Sequence, residues 1–348
     1  MSDKHQDMAM AAERYREHKV RVLPSSHEFV SEASSSLLEA GLRAGLRLGY
    51  GCSNGNCGKC LARVVSGEVR KTRHHDYRIT GAQKAGNHVL MCCNAANTDM
   101  VLEAPEASDA SEVPQQQITA RVKNIRIVND DVALMHLRTP RTNRLRFLAG
   151  QHVQLGGNDM PGATHSVASC PCDDMHLHFQ IPMVSGDEFS DHIFRSLKVG
   201  DQVDINGPEG DFILDEDSPR PLVFIAWRTG FAPIRSLIEH ATALEVAESI
   251  HLVWMAASKE ERYLDNLCRS WADALDDFYY VPVDVDISTG GINIGNTITQ
   301  HLKIKPENLA RHDFYIAAND VLTASLGHTL LEHGLPSPQL TTDQITHN

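Results

Sequence analysis

The chain reads as three successive domains: an α+β unit, a small antiparallel β-barrel, and an α/β unit built on a parallel sheet. Three observations point there. Cys52, Cys57, Cys60 and Cys92 lie among strand-like and helix-like segments in the first hundred residues. From Ile118 short alternating runs follow one another with regular turn signals. After Pro219 continuous apolar runs alternate with helical stretches, the pattern of a parallel sheet covered on both faces. A length of 348 residues accommodates two or three such domains.

In chain order, Met1 to about His18 is polar and charged, without an apolar core of a signal peptide, and is expected to be disordered. Val20-Arg21-Val22-Leu23 predicts a strand. Ser36 and Glu39 form a capping box ahead of a helix whose apolar stripe is Leu37, Leu38 and Leu42. The run Gly51-Cys52-Ser53-Asn54-Gly55-Asn56-Cys57-Gly58-Lys59-Cys60 then enters a loop, and Leu61 to Val65 returns as a strand. Cys52, Cys57 and Cys60 with Cys92 have the C-x4-C-x2-C…C spacing of a plant-type [2Fe–2S] ligand set. Iron favours thiolate sulfur, and small residues between the cysteines let backbone N–H groups approach the sulfurs. Zinc sites favour two C-x2-C pairs, and this chain has one; a disulfide framework belongs to secreted chains. Cys93, next to Cys92, is expected to point to the other side of an extended strand.

Residues 104–117 are acidic, small and flanked by proline, and read as a linker between a first domain over 19–103 and a second over 118–216. In the second, Thr119 to Val122, Val132 to Arg138 and Gly150 to Leu155 predict barrel strands, closing near Gly207 to Phe212. In the third domain, over 217–348, Pro221 to Ala226, His251 to Met255, Phe278 to Val283 and Phe314 to Ala317 predict parallel strands. Helices are predicted over Ala232 to His240 and near Leu264 to Trp271.

The net charge of −13 argues against nucleic acid and for docking on a basic protein. No apolar run reaches the length of a membrane span. Eight cysteines, four of them assigned to one cluster, suit a reducing cytoplasm. Cys170-Pro171-Cys172 is read as loop, because the ring it would close is too short for an unstrained disulfide. The 19 histidines are scattered, and His176 and His178 are expected on a solvated strand face.

The order strand, helix, cysteine loop, strand, with the fourth cysteine in Val89-Leu90-Met91-Cys92, resembles the β-grasp ferredoxin domain. Phe147-Leu148-Ala149-Gly150-Gln151, Phe189-Ser190-Asp191-His192-Ile193-Phe194, Gly207-Pro208-Glu209-Gly210-Asp211-Phe212 and Thr229-Gly230-Phe231-Ala232-Pro233 extend the likeness over nearly the whole chain after Lys19. The layout resembles the ferredoxin-type NAD(P)H reductases, which include oxygenase reductase components and the CDP-6-deoxyglucoseen reductases. The resemblance implies an FAD-type barrel followed by an NAD(P)-type α/β domain. It also implies a route in which hydride leaves NAD(P)H, enters FAD, and departs as single electrons through the cluster. It places flavin or nucleotide beside His165, Ser166, Ser190, Thr229 and Gly230.

The same resemblance exposes departures. Ala163-Thr164-His165-Ser166 stands where the family has Arg-x-Tyr-Ser, so a guanidinium that would neutralise pyrophosphate is missing. Gly186-Asp187-Glu188 brings two carboxylates to the phosphate side. Trp227-Arg228-Thr229-Gly230 replaces a glycine-rich turn, which is expected to put an indole and a guanidinium into or beside the nicotinamide space. Met255-Ala256-Ala257 and Ala317-Ala318-Asn319-Asp320 replace a Gly-x-Arg and a Cys-Gly-x-Pro, and the C-terminus lacks the usual aromatic residue. These changes point to a lost or altered nicotinamide function. The favoured expectation is therefore a cytoplasmic [2Fe–2S] electron-transfer protein that exchanges single electrons with an oxygenase or other metalloenzyme. The alternatives are a working NAD(P)H:acceptor reductase with FAD, and a non-catalytic assembly or sensory protein.

Overall fold

The computed structural model describes residues 17–345 except 33, 108–109, 111–112, 142, 158–159, 286–303 and 305. Residues 1–16 and 346–348, for which a disordered start and a non-aromatic end were expected, lie outside the described residues. Glu17 and His18, assigned to that start, already belong to a strand, paired with Glu32 and Ser31. The described chain forms two compact units. One comprises 1–118 with 139–148 and 171–175; the other comprises 119–138, 149–170 and 176–348.

In the first unit, β1 (Glu17–Leu23), β2 (Glu28–Glu32), β3 (Leu61–Ser66), β5 (His88–Leu90) and β7 (Met100–Glu103) form a mixed sheet in the order β2-β1-β7-β3-β5. The β1–β7 pair is parallel, and the β1–β2, β3–β5 and β3–β7 pairs are antiparallel. Strands β4 (Val69–Lys71) and β6 (Asn94–Ala96) form a separate ribbon. Helix α1 (Leu37–Arg43) packs Leu37, Leu38 and Leu42 into the cluster that holds Val20, Val22 and Leu102. Burying each such leucine stabilises by roughly 1.5–3 kcal/mol. The predicted capping box is present: Glu39 N donates to Ser36 Oγ at 3.2 Å, and Ser36 N to Glu39 Oε2 at 3.3 Å. Helix α2 (Gly81–Ala85) carries a second box from Thr80 and Gln83. The start of the expected linker is held on this unit. Ala104 and Ala107 are buried, Ala107 N donates to Arg47 O at 3.0 Å, and His27 pairs with Glu106 at 2.9 Å.

In the second unit, β8 (Gln116–Val128), β9 (Val132–Arg138), β10 (His152–Gly157), β11 (Met160–Ser166), β12 (His176–Pro182) and β13 (Gln202–Glu209) form a six-stranded sheet, order β11-β10-β13-β8-β9-β12. Its edge strands β11 and β12 approach each other, so the sheet curls as a barrel. Helix α3 (Glu188–Arg195) lies on β11. The chain then builds a parallel sheet, order β16-β15-β14-β17-β18, from β14 (Leu222–Trp227), β15 (Ile250–Ala256), β16 (Phe278–Asp284), β17 (Asp313–Ala318) and β18 (Leu340–Gln344). Every residue of β14 is buried, which is why it reads as one apolar run. On one face α4 (Phe231–Leu244) packs Phe231, Ile234 and Leu237 against Phe224, Leu252 and Trp254, and Cys268 of α5 (Asp265–Ala274) joins the same cluster. On the other, α6 (Asp320–Glu332) packs Leu322, Leu326 and Leu330 against Val223, Ile225 and Phe314. No helix among the described residues is long and apolar enough to cross a membrane.

Two local expectations are overturned. Cys170 and Cys172 are disulfide-bonded rather than plain loop, because the chain turns at Pro171–Cys172 and brings the two side chains together. His176 and His178 do not face open solvent. Both are partly buried against His136, whose Nε2 is 2.8 Å from His176 Nδ1 and whose ring centroid is 4.7 Å from that of His178.

Burial, then the nearby Arg235, holds His178 down at about 4; burial, then His312, holds His251 down at about 4. The unfolded chain binds these protons near pH 6.5, so it carries more protons than the folded chain between pH 6.5 and 4. Stability is therefore complete above about pH 6.5 and falls as the pH drops towards 4. Thermal melts across that window should show a declining midpoint, and His178→Gln should flatten part of the slope. A profile unchanged by that substitution would remove His178 from the account.

Candidate functional site: a cysteine loop and a barrel cavity

The cysteine loop runs between α1 and β3 and is fixed from several sides. Ahead of it, the buried Tyr50 donates to Leu145 O at 3.4 Å. Across it, Arg73 donates to Ser53 O at 3.1 Å and Tyr77 N to Gly55 O at 3.0 Å. Gly58 has φ +77°, and a Cβ there would stand 2.2 Å from the Tyr77 ring, so the loop needs glycine at this point.

The four predicted sulfurs are brought together as two pairs. Cys60 and Cys92 are buried, with Sγ atoms 3.2 Å apart. Cys52 Sγ accepts from Asn56 N (3.2 Å) and Cys57 N (3.3 Å), and Cys57 Sγ accepts from Cys52 N at 3.3 Å. Burial pushes the Cys52 thiol up, but the N–H groups of Asn54, Cys57 and Asn56 outweigh it and the net shift is downward. A proton shared with Cys92 leaves Cys60 low, at about 7, and Cys92 raised. Among the described residues no three Cys, His, Asp or Glu side chains converge on one metal-ion position. Two sulfur pairs fit two irons better than a single tetrahedral ion. Ser53 Oγ and Asn54 Oδ1 are buried beside the loop without a partner in the chain, as expected where an inorganic group completes the site. The donor set fits a [2Fe–2S] cluster. Cys93 is not turned away as expected. Met91–Cys93 form a 3-10 turn rather than an extended strand, and Cys93 Sγ lies 3.6 Å from Cys92 Sγ.

The second site is a cavity of about 330 Å³ in the other unit, lined by His152, Thr164, His165, Ser166, Gln180, Pro182, Thr229, Ala232, Asp343, Gln344 and Ile345. Of the five residues expected there, His165, Ser166 and Thr229 line it. Ser190 does not: it is buried, its hydroxyl accepting from Val184 N at 3.2 Å and reaching the carbonyls of Val184 and Asp187 at 3.1 Å. Gly230 serves packing instead, since a Cβ there would stand 2.1 Å from Ala317 O. The His165 ring stacks on Phe189, centroids 5.0 Å apart. His152, Thr164, Gln180 and Asp343 were missed, because chain positions 152 and 343 become neighbours only through tertiary folding. Burial raises the Asp343 carboxyl, with His152 opposing.

The Asp187-Glu188 segment, expected on the phosphate side, carries its charge at a helix start. The Asp187 carboxylate caps α3, accepting from Ser190 N at 2.8 Å, and Glu188 follows in the first turn. The helix end that would attract an anion already holds one of its own.

Of the two bulky residues expected beside a nucleotide space, one stands at the strand end. Trp227 is 2% exposed and packs with Val223, Ile225, Val253 and Met255 on the α6 face of the sheet. It does not enter the cleft, because successive strand side chains alternate between faces and its turn falls inward. Arg228 does stand at the strand end, with φ +47°. Its guanidinium lies 2.6 Å from Asp131 and 3.5 Å from Glu261, and its carbonyl accepts from Trp254 Nε1 at 3.0 Å. Asn319, in the run that replaces the Cys-Gly-x-Pro, caps α6 by accepting from Leu322 N at 3.0 Å.

Comparison with known proteins agrees with this architecture. Residues 20–97 match the 2Fe-2S iron-sulfur cluster binding domain, and 119–213 match the oxidoreductase FAD-binding domain. Protein RfbI of Salmonella typhimurium is 30% identical over 268 residues, covering 76% of this chain and 78% of that one. The chain belongs to the ferredoxin-type NAD(P)H reductase family. Within the family it is similar to the CDP-6-deoxy-L-threo-D-glycero-4-hexulose-3-dehydrase reductase of Yersinia pseudotuberculosis, 27% identical over 93% of this chain and 97% of the relative. It is also similar to reductase component 2 of terephthalate 1,2-dioxygenase from Comamonas sp, 29% identical over 78% of this chain and 80% of the relative. A solved Amycolatopsis cytochrome P450 reductase has the same fold, with TM-score 0.59 and 23% identity over 94% of this chain and 98% of that one. This member of the reductase family is thus an electron-transfer chain with a [2Fe–2S] domain and an FAD-type barrel.

Proposed function

We propose that this reductase-family chain passes single electrons between a [2Fe–2S] cluster on Cys52, Cys57, Cys60 and Cys92 and a cytoplasmic metalloenzyme, an oxygenase being the first candidate. The observation that carries this is the paired sulfur geometry, with one pair buried and Cys57 of the other exposed. The exposed end is where a partner can approach closely enough for electron exchange. Relatives that are reductase components of oxygenases support the oxygenase choice. The net charge of −13 favours a partner with a basic face. The test is reduction of the chain by dithionite followed by mixing with a candidate oxidised oxygenase. Reoxidation of the cluster that slows with rising salt supports the reading, and reoxidation at the buffer rate in every mixture refutes it.

His165, Ser166 and Thr229 on one cavity favour flavin as a second group held there. When bound, flavin supplies the exchange between two-electron and one-electron steps. His165 and Ser166 would hold its ring, and Thr229 would close the cavity from the α4 side. The carboxylates of Asp187 and Glu188, without an arginine at Ala163, oppose its pyrophosphate. FAD is therefore expected below one per chain as purified. Ala163→Arg with Glu188→Lys should raise retention, since each charge-assisted hydrogen bond contributes about 1.5–3 kcal/mol. Stoichiometric FAD in the unmodified chain, measured by absorbance after acid release, would show that other contacts compensate.

A further inference from the structure

A fifth sulfur accompanies the four. Cys93 is fully buried, and the 3-10 turn Met91–Cys93 directs it to the same side as Cys92. Its Sγ is 3.6 Å from Cys92 Sγ, within hydrogen-bonding reach for sulfur. The same atom lies over the cysteine loop: a Cβ at Gly55 would stand 2.7 Å from it. Its backbone is pinned as well, since its carbonyl accepts from Thr72 N at 2.8 Å and Arg73 N at 3.4 Å. Buried cysteine is ordinarily a small apolar filler. A filler has no required direction, whereas this thiol is held by a turn and a pinned carbonyl against one particular sulfur.

We propose that Cys93 is a positioning residue of the iron–sulfur centre, its S–H donating to the Cys92 sulfur and thereby raising the reduction potential. The proposal rests on Cys92 being a ligand. The physical reason is electrostatic. Reduction adds negative charge that is shared with the ligand sulfurs, so a donor aimed at one of them stabilises the reduced form more than the oxidised form. Hydrogen bonds to the sulfurs are among the levers that set such potentials. A thiol S–H is a weak hydrogen-bond donor and sulfur a weak acceptor.

The test compares Cys93→Ala, which removes the donor, with Cys93→Ser, which keeps one. Both are purified as full chains. Iron content and circular dichroism establish that cluster and fold are intact, and the midpoint potential is titrated by visible absorbance. The alanine variant should keep full iron but be about three- to tenfold harder to reduce at a given potential. That is a shift of about 28–59 mV to more negative values, at 59 mV per tenfold for one electron. The serine variant should recover at least half of the shift. If the alanine variant does not fold, Cys93→Val, of similar volume and without a donor, takes its place. An unchanged potential with full iron overturns the proposal. So does a serine shift as large as the alanine shift, which would assign the effect to packing. Loss of iron in Cys93→Ala with full iron in Cys92→Ser would instead make Cys93 a ligand, overturning both the proposal and the ligand assignment beneath it.

Discussion

Cys57→Ser is expected to give a colourless chain without iron, while Cys93→Ser stays red-brown. Cys57 is the exposed member of the sulfur pair that it forms with Cys52. Serine offers a hard oxygen on a shorter arm where iron favours thiolate. Backbone N–H groups that now point at Cys52 and Cys57 would lose the charge they stabilise. Iron and acid-labile sulfide assays, with an electron paramagnetic resonance spectrum after dithionite, read the outcome. The unmodified chain should show a potential of the order of −400 mV, as plant-type clusters do. A colourless, zinc-bearing unmodified chain would end the iron–sulfur reading outright.

Neither NADH nor NADPH should bleach the cluster, even with excess FAD, whereas dithionite should. Hydride transfer needs donor and acceptor atoms about 3–3.5 Å apart. Arg228 stands at the end of β14, tied to Asp131 of the β8–β9 turn and to Glu261 after β15. Its left-handed backbone costs about 1–2 kcal/mol for a residue with a Cβ. The two partly exposed ion pairs return about 0–1 kcal/mol each. These terms nearly cancel, so Arg228→Gly should leave the melting temperature within a few degrees while opening the strand end. Activity should then appear weakly at most, because the Gly-x-Arg and Cys-Gly-x-Pro motifs of the family remain replaced by Met255-Ala256-Ala257 and Ala317-Ala318-Asn319-Asp320. Trp227→Gly is a different experiment. Removing that buried indole should destabilise by about 3–5 kcal/mol, and should not create a nucleotide path. Stopped-flow mixing decides: bleaching of the unmodified chain at about 1–10³ per second would mean an altered but working site.

Much of this was legible from residue order alone. Ligand spacing is local, so Cys52, Cys57 and Cys60 declare themselves within nine residues of loop. The capping box of Ser36 and Glu39 and the apolar run of β14 are also local, because a helix end or a doubly covered strand imposes its own pattern. Residues 104–117 read as a linker by composition alone, yet Ala104, Glu106 and Ala107 lie against partners more than fifty residues earlier in the chain.

What the sequence by itself determined is the class of protein: four thiolates at cluster spacing, then barrel strands, then a parallel sheet, with departures at the phosphate and nicotinamide motifs. What only the tertiary structure decided is what each departure does. A tryptophan at a strand end could face cleft or core, and sheet alternation sends Trp227 to the core. Its neighbour Arg228 is held at the strand end because the β8–β9 turn and the segment after β15 bring carboxylates to it. Asp343 meets the cavity because β18 lies beside β17, and Cys93 meets Cys92 because three residues turn where an extended strand was expected. Spacing along a chain specifies which groups are present; long-range packing sets the direction in which each points, and charge and hydrogen bonding act only along that direction.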